Sequence, residues 1–219
     1  MPNWCSNIVN VEGVTPDMKR FVAALKTVPD YYETTGWEVK KEYAEQLQFS
    51  GIYPIPKNLL VREQLQKKLR KFAHRLEKLK LPWFASHIYK WLDKQGNLPS
   101  WYLWCLANWG TKWDVCDSYL EDFVETSKVQ NSYLHWEFST AWTPPVEWLR
   151  EAARQYPTLS FLLTYHEPGN NFAGEASGEN GSVEDKYVDN PSNDQLVDFG
   201  FEPWDDDEYD DDDEYDWED

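Results

Sequence analysis

Residues 101–114 read WYLWCLANWGTKWD, four tryptophans within fourteen positions. Trp101, Trp104, Trp109 and Trp113 each carry a large apolar area and an indole N–H that needs a partner, so the segment demands a core to face and polar groups to meet it. Apolar residues three to five apart share one side of a helix, and Asn108 to Gly110 are turn formers. The spacing therefore predicts a short helix running into a tight turn, with the indoles as the floor of a core. The rest of the chain has to supply that core.

Residues 7–11 alternate around Ile8, Val9 and Val11 and stop at Glu12-Gly13, which predicts a first strand. Thr15-Pro16-Asp17 then opens a helix, with Thr15 as its cap and Met18, Phe21, Val22 and Leu25 on one side. Tyr31, Tyr32 and Trp37 show no period and read as a connection. Leu47, Phe49 and Ile52 read as a second strand, ended by Pro54-Ile55-Pro56. Residues 119–126 are too mixed to assign. Leu134, Trp136 and Phe138 alternate with polar residues as a third strand. A helix from Thr143-Pro144-Pro145 to Gln155 turns Val146, Leu149, Ala152 and Ala153 inward, and residues 159–165 form the last strand. Strand, helix, strand, strand, helix, strand is the βαββαβ order of an α+β ferredoxin-like sandwich, in which four antiparallel strands carry helices on one face.

Two additions interrupt that frame. Residues 57–94 hold eleven Lys and Arg against Glu63, Glu77 and Asp93, a net +8. Leu65, Leu69, Phe72, Leu76 and Leu79 step by four and three, the mark of one amphipathic helix, which Pro82 ends before a second short helix folds back. Lys67, Lys68, Arg70, Lys71, Arg75 and Lys78 form the candidate basic surface. The second addition is acidic. Of the net charge of −18, residues 184–219 carry −17, with 18 acids against Lys186 alone. Repulsion and few aliphatic side chains predict a disordered tail there. The expected organisation is one ferredoxin-like domain over 1–183, with a helical insertion at 57–98, and a tail over 184–219.

Several blocks read together resemble the YubB ferredoxin-like family of plasmids and bacteriophages: MPNWCSNIVNVEG at the start, IYPIP at 52–56, NWGTKWD at 108–114, FSTAWTPP at 138–145 and YHEPGNNFAGE at 165–175. The resemblance covers residues 1–175. It implies the ferredoxin-like fold and a mobile-element origin in bacteria, and it brings no catalytic residue with it. The basic insertion and the acidic tail depart from that family's short form, so a function particular to this chain belongs on them.

Chemistry-bearing patterns are sparse. His74, His87, His135 and His166 lack ligand spacing, Cys5, Cys105 and Cys116 form no CxxC pair, and nucleotide-loop and nucleophile-elbow motifs are missing, so no catalytic residue, metal or cofactor is expected. Odd, unpaired cysteines and the lack of an 18-residue apolar run point to a cytoplasmic protein, and the resemblance implies that the cell is a bacterial host. His166-Glu167 with Asp114 and Asp117 could act as an acid–base set only if the fold gathered them. The tail is the sharper pattern: Trp204, Tyr209, Tyr215 and Trp217 are interleaved with Asp205, Asp206, Asp207, Glu208, Asp211 and Asp212, and 13 of residues 202–219 are acidic. Rows of charge with rings copy the phosphates and bases of nucleic acid. The leading expectation is thus a phage or plasmid inhibitor that binds a host defence protein's basic nucleic-acid groove as a mimic, with these ten residues as the contact. The alternative is a single-strand nucleic-acid binder using sheet aromatics and the basic insertion, regulated by the tail. A third option is that the tail neutralises the chain's own basic helix.

Overall fold

The computed structural model describes residues 2–27, 29, 47–96, 98, 100–126, 131–179 and 181–203, apart from the side chains of 95 and 120–126. The chain forms β1 (Trp4–Val14), α1 (Thr15–Leu25), a 3-10 turn (Phe49–Gly51), α2 (Lys57–Lys78), α3 (Pro82–Gln95), α4 (Trp101–Asn108), β2 (Cys116–Thr126), β3 (Asn131–Ala141), α5 (Val146–Gln155), β4 (Leu159–Glu167), β5 (Phe172–Glu179), β6 (Ser182–Asp189) and α6 (Asn193–Asp198). The sheet runs β2-β3-β1-β4-β5-β6, and every neighbouring pair is antiparallel.

The four strands β2-β3-β1-β4 with α1 and α5 are the βαββαβ core expected from the sequence. The sheet is nevertheless six-stranded, and the second strand is not where the apolar pattern put it. Leu47, Phe49 and Ile52 are buried, yet they belong to an irregular segment around the 3-10 turn. Strand β2 lies at 116–126 instead. Its register shifts between Cys116 and Tyr119 and again between Leu120 and Asp122, and each irregularity resets the in–out alternation that a sequence reading relies on. Thr15 does not cap α1; its hydroxyl accepts a hydrogen bond from Ser132 Oγ (3.0 Å), while Asp17 accepts one from Thr158 (2.6 Å).

Odd-numbered residues of β1 (Cys5, Val9, Val11) and Leu134, Trp136 and Phe138 of β3 face the helices, where Phe21 and Leu25 of α1 and Trp148, Leu149 and Ala152 of α5 meet them. Phe49 is the plug. Its ring lies 4.7 Å from Trp148, 5.5 Å from Phe138, 5.9 Å from Trp109 and 6.1 Å from Trp136. Gly51 lets this segment approach α1 closely, since a Cβ there would stand 1.9 Å from the Ala24 carbonyl oxygen.

Two further strands extend the sheet beyond β4. The edge strand β6 includes Glu184, Asp185 and Asp189, so the sheet carries the chain past the point where the acidic tail was expected to begin. Beyond it, the Ser192 hydroxyl and Gln195 form a capping box that starts α6. Leu196 is fully buried, Gly200 passes within van der Waals reach of Ile8, and the Phe201 ring lies 5.5 Å from His166. Ile8 and His166 are on the side of the sheet away from α1 and α5, so the C-terminal segment crosses the face that a four-stranded sandwich would leave open.

Candidate partner-binding surfaces

The tryptophan turn is a brace. Trp109 is fully buried and donates its indole N–H to the Tyr53 carbonyl (2.8 Å), Tyr53 donates its hydroxyl to Asn108 Oδ1 (2.6 Å), and Asn108 donates to the Trp104 carbonyl (2.8 Å). Asp114 accepts hydrogen bonds from the backbone N–H groups of Phe49 (2.7 Å), Ser50 (3.1 Å) and Val115 (3.0 Å), which ties the plug to the turn. Burial nevertheless holds its carboxyl above the ordinary carboxylate range, against the opposing pull of those donors. Gly110 adopts φ +82°, where a side chain is strained, and packs beneath the Pro144 carbonyl. The expectation of four indoles together on the floor of the core needs correcting: Trp101 and Trp104 are partly buried against the core, whereas Trp113 is half-buried apart from it, 6.5 Å from the Trp4 ring and with Lys112 Nζ 4.4 Å from its ring centre. The indoles spread because one helical turn cannot aim residues 101, 104, 109 and 113 at a single pocket.

No acid–base set forms around His166. The buried Glu167 carboxylate accepts the backbone N–H groups of Gly169 (2.7 Å) and Asn170 (2.9 Å), closing the 168–171 turn, and Asp114 is committed to the plug. Burial beside Phe201 keeps the His166 imidazole below its usual pKa. Among the described residues, no group of three or more His, Cys, Asp or Glu is arranged to hold a metal ion. A cleft of about 330 Å³ lies where the C-terminal segment crosses the sheet, lined by Ser6, Ile8, Asp117, Glu137, Phe201 and Glu202. Its acidic lining and the segment lying over it are unsuited to the base stacking expected of sheet aromatics.

The helical arm α2–α3 is the other kind of surface. Ala73 and Ala85 are fully buried, but the apolar stripe read from the sequence is only half covered. Leu69 and Leu76 are half-buried, whereas Phe72 is 51% exposed and Leu79 69%. Past the turn, Trp83 is 64% exposed, and Phe84 and Trp91 are exposed too. At 100° per residue, Val61, Leu65, Phe72 and Leu79 fall on one line along the helix. Lys68, Lys71 and Arg75 border it on the side opposite Leu69 and Leu76. Lys67 and Arg70 are exposed on the back of the helix, Lys78 stands next to Lys71 one heptad further on, and Lys67 pairs with Glu63 (3.5 Å). The six predicted cations thus split into two sets, of which one flanks exposed apolar side chains. The exposed rings of α3 were not singled out by the sequence reading, although their position in a +8 segment was a usable signal. All ten predicted tail contacts, from Trp204 to Trp217, lie outside the described residues, as do Tyr31, Tyr32 and Trp37. No described helix is long and apolar enough to cross a membrane.

The braced sheet, with a basic and apolar arm set between α1 and β2, defines the class: a ferredoxin-like domain with a helical insertion. Within it, residues 109–216 match the family model described as the ferredoxin-like domain in Api92-like protein. The chain is also similar to the crystal structure of protein api92 from Yersinia pseudotuberculosis, at 12% identity and a TM-score of 0.41, over 88% of this chain and 99% of that one. No curated protein matches it. The family-model match corrects the YubB resemblance, since the family it finds over residues 109–216 is the Api92-like one. Two of the five blocks that suggested YubB, those at 108–114 and 165–175, sit at the Gly110 turn and at the turn closed by Glu167. The mobile-element origin came with that resemblance and loses its support. The arm lies outside the matched residues.

Proposed function

We propose that this chain is a binding protein without catalytic chemistry of its own, and that its arm is a surface for single-stranded nucleic acid. The observation that carries the reading is that exposed rings (Phe72, Trp83, Phe84, Trp91) and the exposed cations Lys68, Lys71 and Arg75 occur on one helical hairpin. Phosphates need cations and unstacked bases need ring faces, and each stacked base contributes about 1–3 kcal/mol. The sheet is the poorer candidate, because α6 and residues 199–202 cross its far face and the cleft there is acidic.

The test uses full-length protein whose carboxylates at 205–219 are replaced by amides. Fluorescence anisotropy with a labelled single-stranded oligonucleotide should show binding at about 50 mM salt, with a log–log salt slope near −0.7 for each phosphate neutralised. Lys68→Glu, Lys71→Glu and Arg75→Glu together should flatten that slope by about 2 and weaken binding at least tenfold. Binding that ignores the three substitutions would exclude the arm.

A second reading keeps the acidic segment as a nucleic-acid mimic directed at the basic groove of a nucleic-acid-handling protein. What favours it is the anchoring of its base, where Leu196 is buried and Phe201 lies against His166. Competition between this protein and an oligonucleotide for such a groove, lost when the tail carboxylates become amides, is the expected result.

A further inference from the structure

We infer that the tip of the helical arm caps the end of a nucleic-acid duplex, so that the arm's preferred target is a junction where a duplex gives way to a single-stranded overhang. This use rests on the single-strand reading of the arm and sharpens it. Residues 79–81 join α2 to α3 in a closed turn. Lys80 donates its backbone N–H to the Glu77 carbonyl and Leu81 donates its own to the Leu76 carbonyl (both 2.9 Å), the pair of bonds that ends a helix on a left-handed residue. That residue is Lys80, at φ +59°, a conformation that suits glycine better. The tip therefore has a fixed shape and carries a cation at its apex.

Every residue from Glu77 to Phe84 is exposed, and five of these eight, Leu79, Leu81, Pro82, Trp83 and Phe84, are apolar. Exposed apolar side chains gathered in this way mark a contact surface. Stacking on single-stranded bases accounts for the rings, but Leu79 and Leu81 have no ring to offer. The flat apolar face of a last base pair accounts for both kinds of residue. Trp83 is held for such a contact: its ring lies 4.4 Å from that of His87, whose Nδ1 donates to the Trp83 carbonyl (2.8 Å). The Phe84 ring stands 4.8 Å from it at 81°. Rings at right angles cannot both join a stack of parallel bases. They suit a corner, where the last base pair shows its face to one ring and the departing strand turns past the other. Leu79 and Leu81 then cover the rest of the face, as aliphatic side chains do where bases are unstacked.

Charge selects the occupant. Lys68, Lys71, Arg75 and Lys78 follow α2 up to the tip over about 15 Å of helix axis, and Lys80 adds a fifth cation at the turn. Phosphates of one duplex strand are about 3.4 Å apart, so the row has length for several of them. Cations that lead to an apolar end match a strand that leads to a base-pair face, and they select a polyanion over a neutral apolar partner.

Three probes built on one labelled strand test the inference: the strand alone, the strand half-paired so that an overhang remains, and the strand fully paired. The protein is the full-length chain with its carboxylates at 205–219 replaced by amides. Anisotropy at about 50 mM salt should show the half-paired probe bound at least about tenfold more tightly than either of the others. Leu79→Ser with Leu81→Ser keeps every charge and should erase that preference, while affinity for the strand alone stays within about threefold and melting within a few degrees. Leu79→Ser alone, at the more exposed position, should cut the preference at least about threefold. Equal affinity for the half-paired probe and the strand alone, or a preference that survives the serine pair, would overturn the inference and leave the single-strand reading standing. Loss of binding to all three probes would remove both. Co-sedimentation with phosphatidylglycerol vesicles that the serine pair abolishes, without any junction preference, would overturn the inference by assigning the tip to an anionic lipid surface.

Discussion

The braced core and the helical arm are built from the same kinds of residue and treat them oppositely. Around Phe49 every large ring is covered, and each indole N–H whose partner is resolved there, those of Trp109, Trp136 and Trp148, has an acceptor at 2.8–3.3 Å. Along α2–α3, Phe72, Leu79 and Trp83 are more than half exposed, with cations beside them. The difference teaches where to look for function. Apolar residues that the fold buries account for the fold, whereas those it leaves outside need a partner to account for them.

The comparison breaks most visibly at the plug. Phe49→Ala removes the ring that four others contact and should cost about 3–5 kcal/mol in urea unfolding. A loss below about 1 kcal/mol would mean that the 47–53 segment is not part of the core. Next comes Asp114→Ala, which leaves the buried N–H groups of Phe49 and Ser50 without an acceptor and should cost about 1–3 kcal/mol. Asp114 also sets a pH dependence. Its folded pKa is raised, so the folded state binds its proton more tightly than the unfolded one, and this group's contribution to stability falls as pH rises through the window above 3.8. In Asp114→Asn that component of the pH profile should vanish, which a pH series of melting curves would show.

His166 gives a smaller effect of opposite sign. Its folded pKa is lowered, so the unfolded state binds the proton more readily, and its contribution is complete above its ordinary value of 6.5 and lost as pH falls below it. Protection of the amides in 193–201, corrected for the pH dependence of intrinsic exchange, should therefore fall between about pH 7 and pH 5, a change that His166→Phe removes. The smallest stability effect belongs to the arm. Trp83→Ser should alter unfolding by no more than about 0.5 kcal/mol, as expected at an exposed position. A core-sized loss would show that the ring is structural.

Legibility in the sequence followed how regular each element's surroundings are. Strands β1, β3 and β4 alternate because one side of each lies against helices, and α1 and α5 show their inward faces for the same reason. Strand β2 was missed because two register shifts break its period, and Leu47 and Phe49 were misread as a strand because an irregular plug can be as apolar as one. Strand β6 was hidden for another reason. It is an edge strand whose burial pattern shows six exposed and two half-buried residues, so Glu184 and Asp185 look like the start of a tail, although Asp185 accepts a hydrogen bond from the buried Tyr165 hydroxyl (2.8 Å). The arm's helices were legible, but its exposed row was not. Spacing shows that Leu65, Leu69, Phe72, Leu76 and Leu79 share a side of a helix, and only the position of α3 decides which of them it covers.

The most direct test of the account replaces Phe72 and Trp83 with serine in the full-length chain with an amidated tail, and measures thermal unfolding and oligonucleotide affinity on the same sample. The account predicts a melting temperature within a few degrees of the parent and a loss of affinity of at least about tenfold. Unchanged affinity with an unchanged melting temperature would contradict it, because the exposed row would then be neither core nor binding surface.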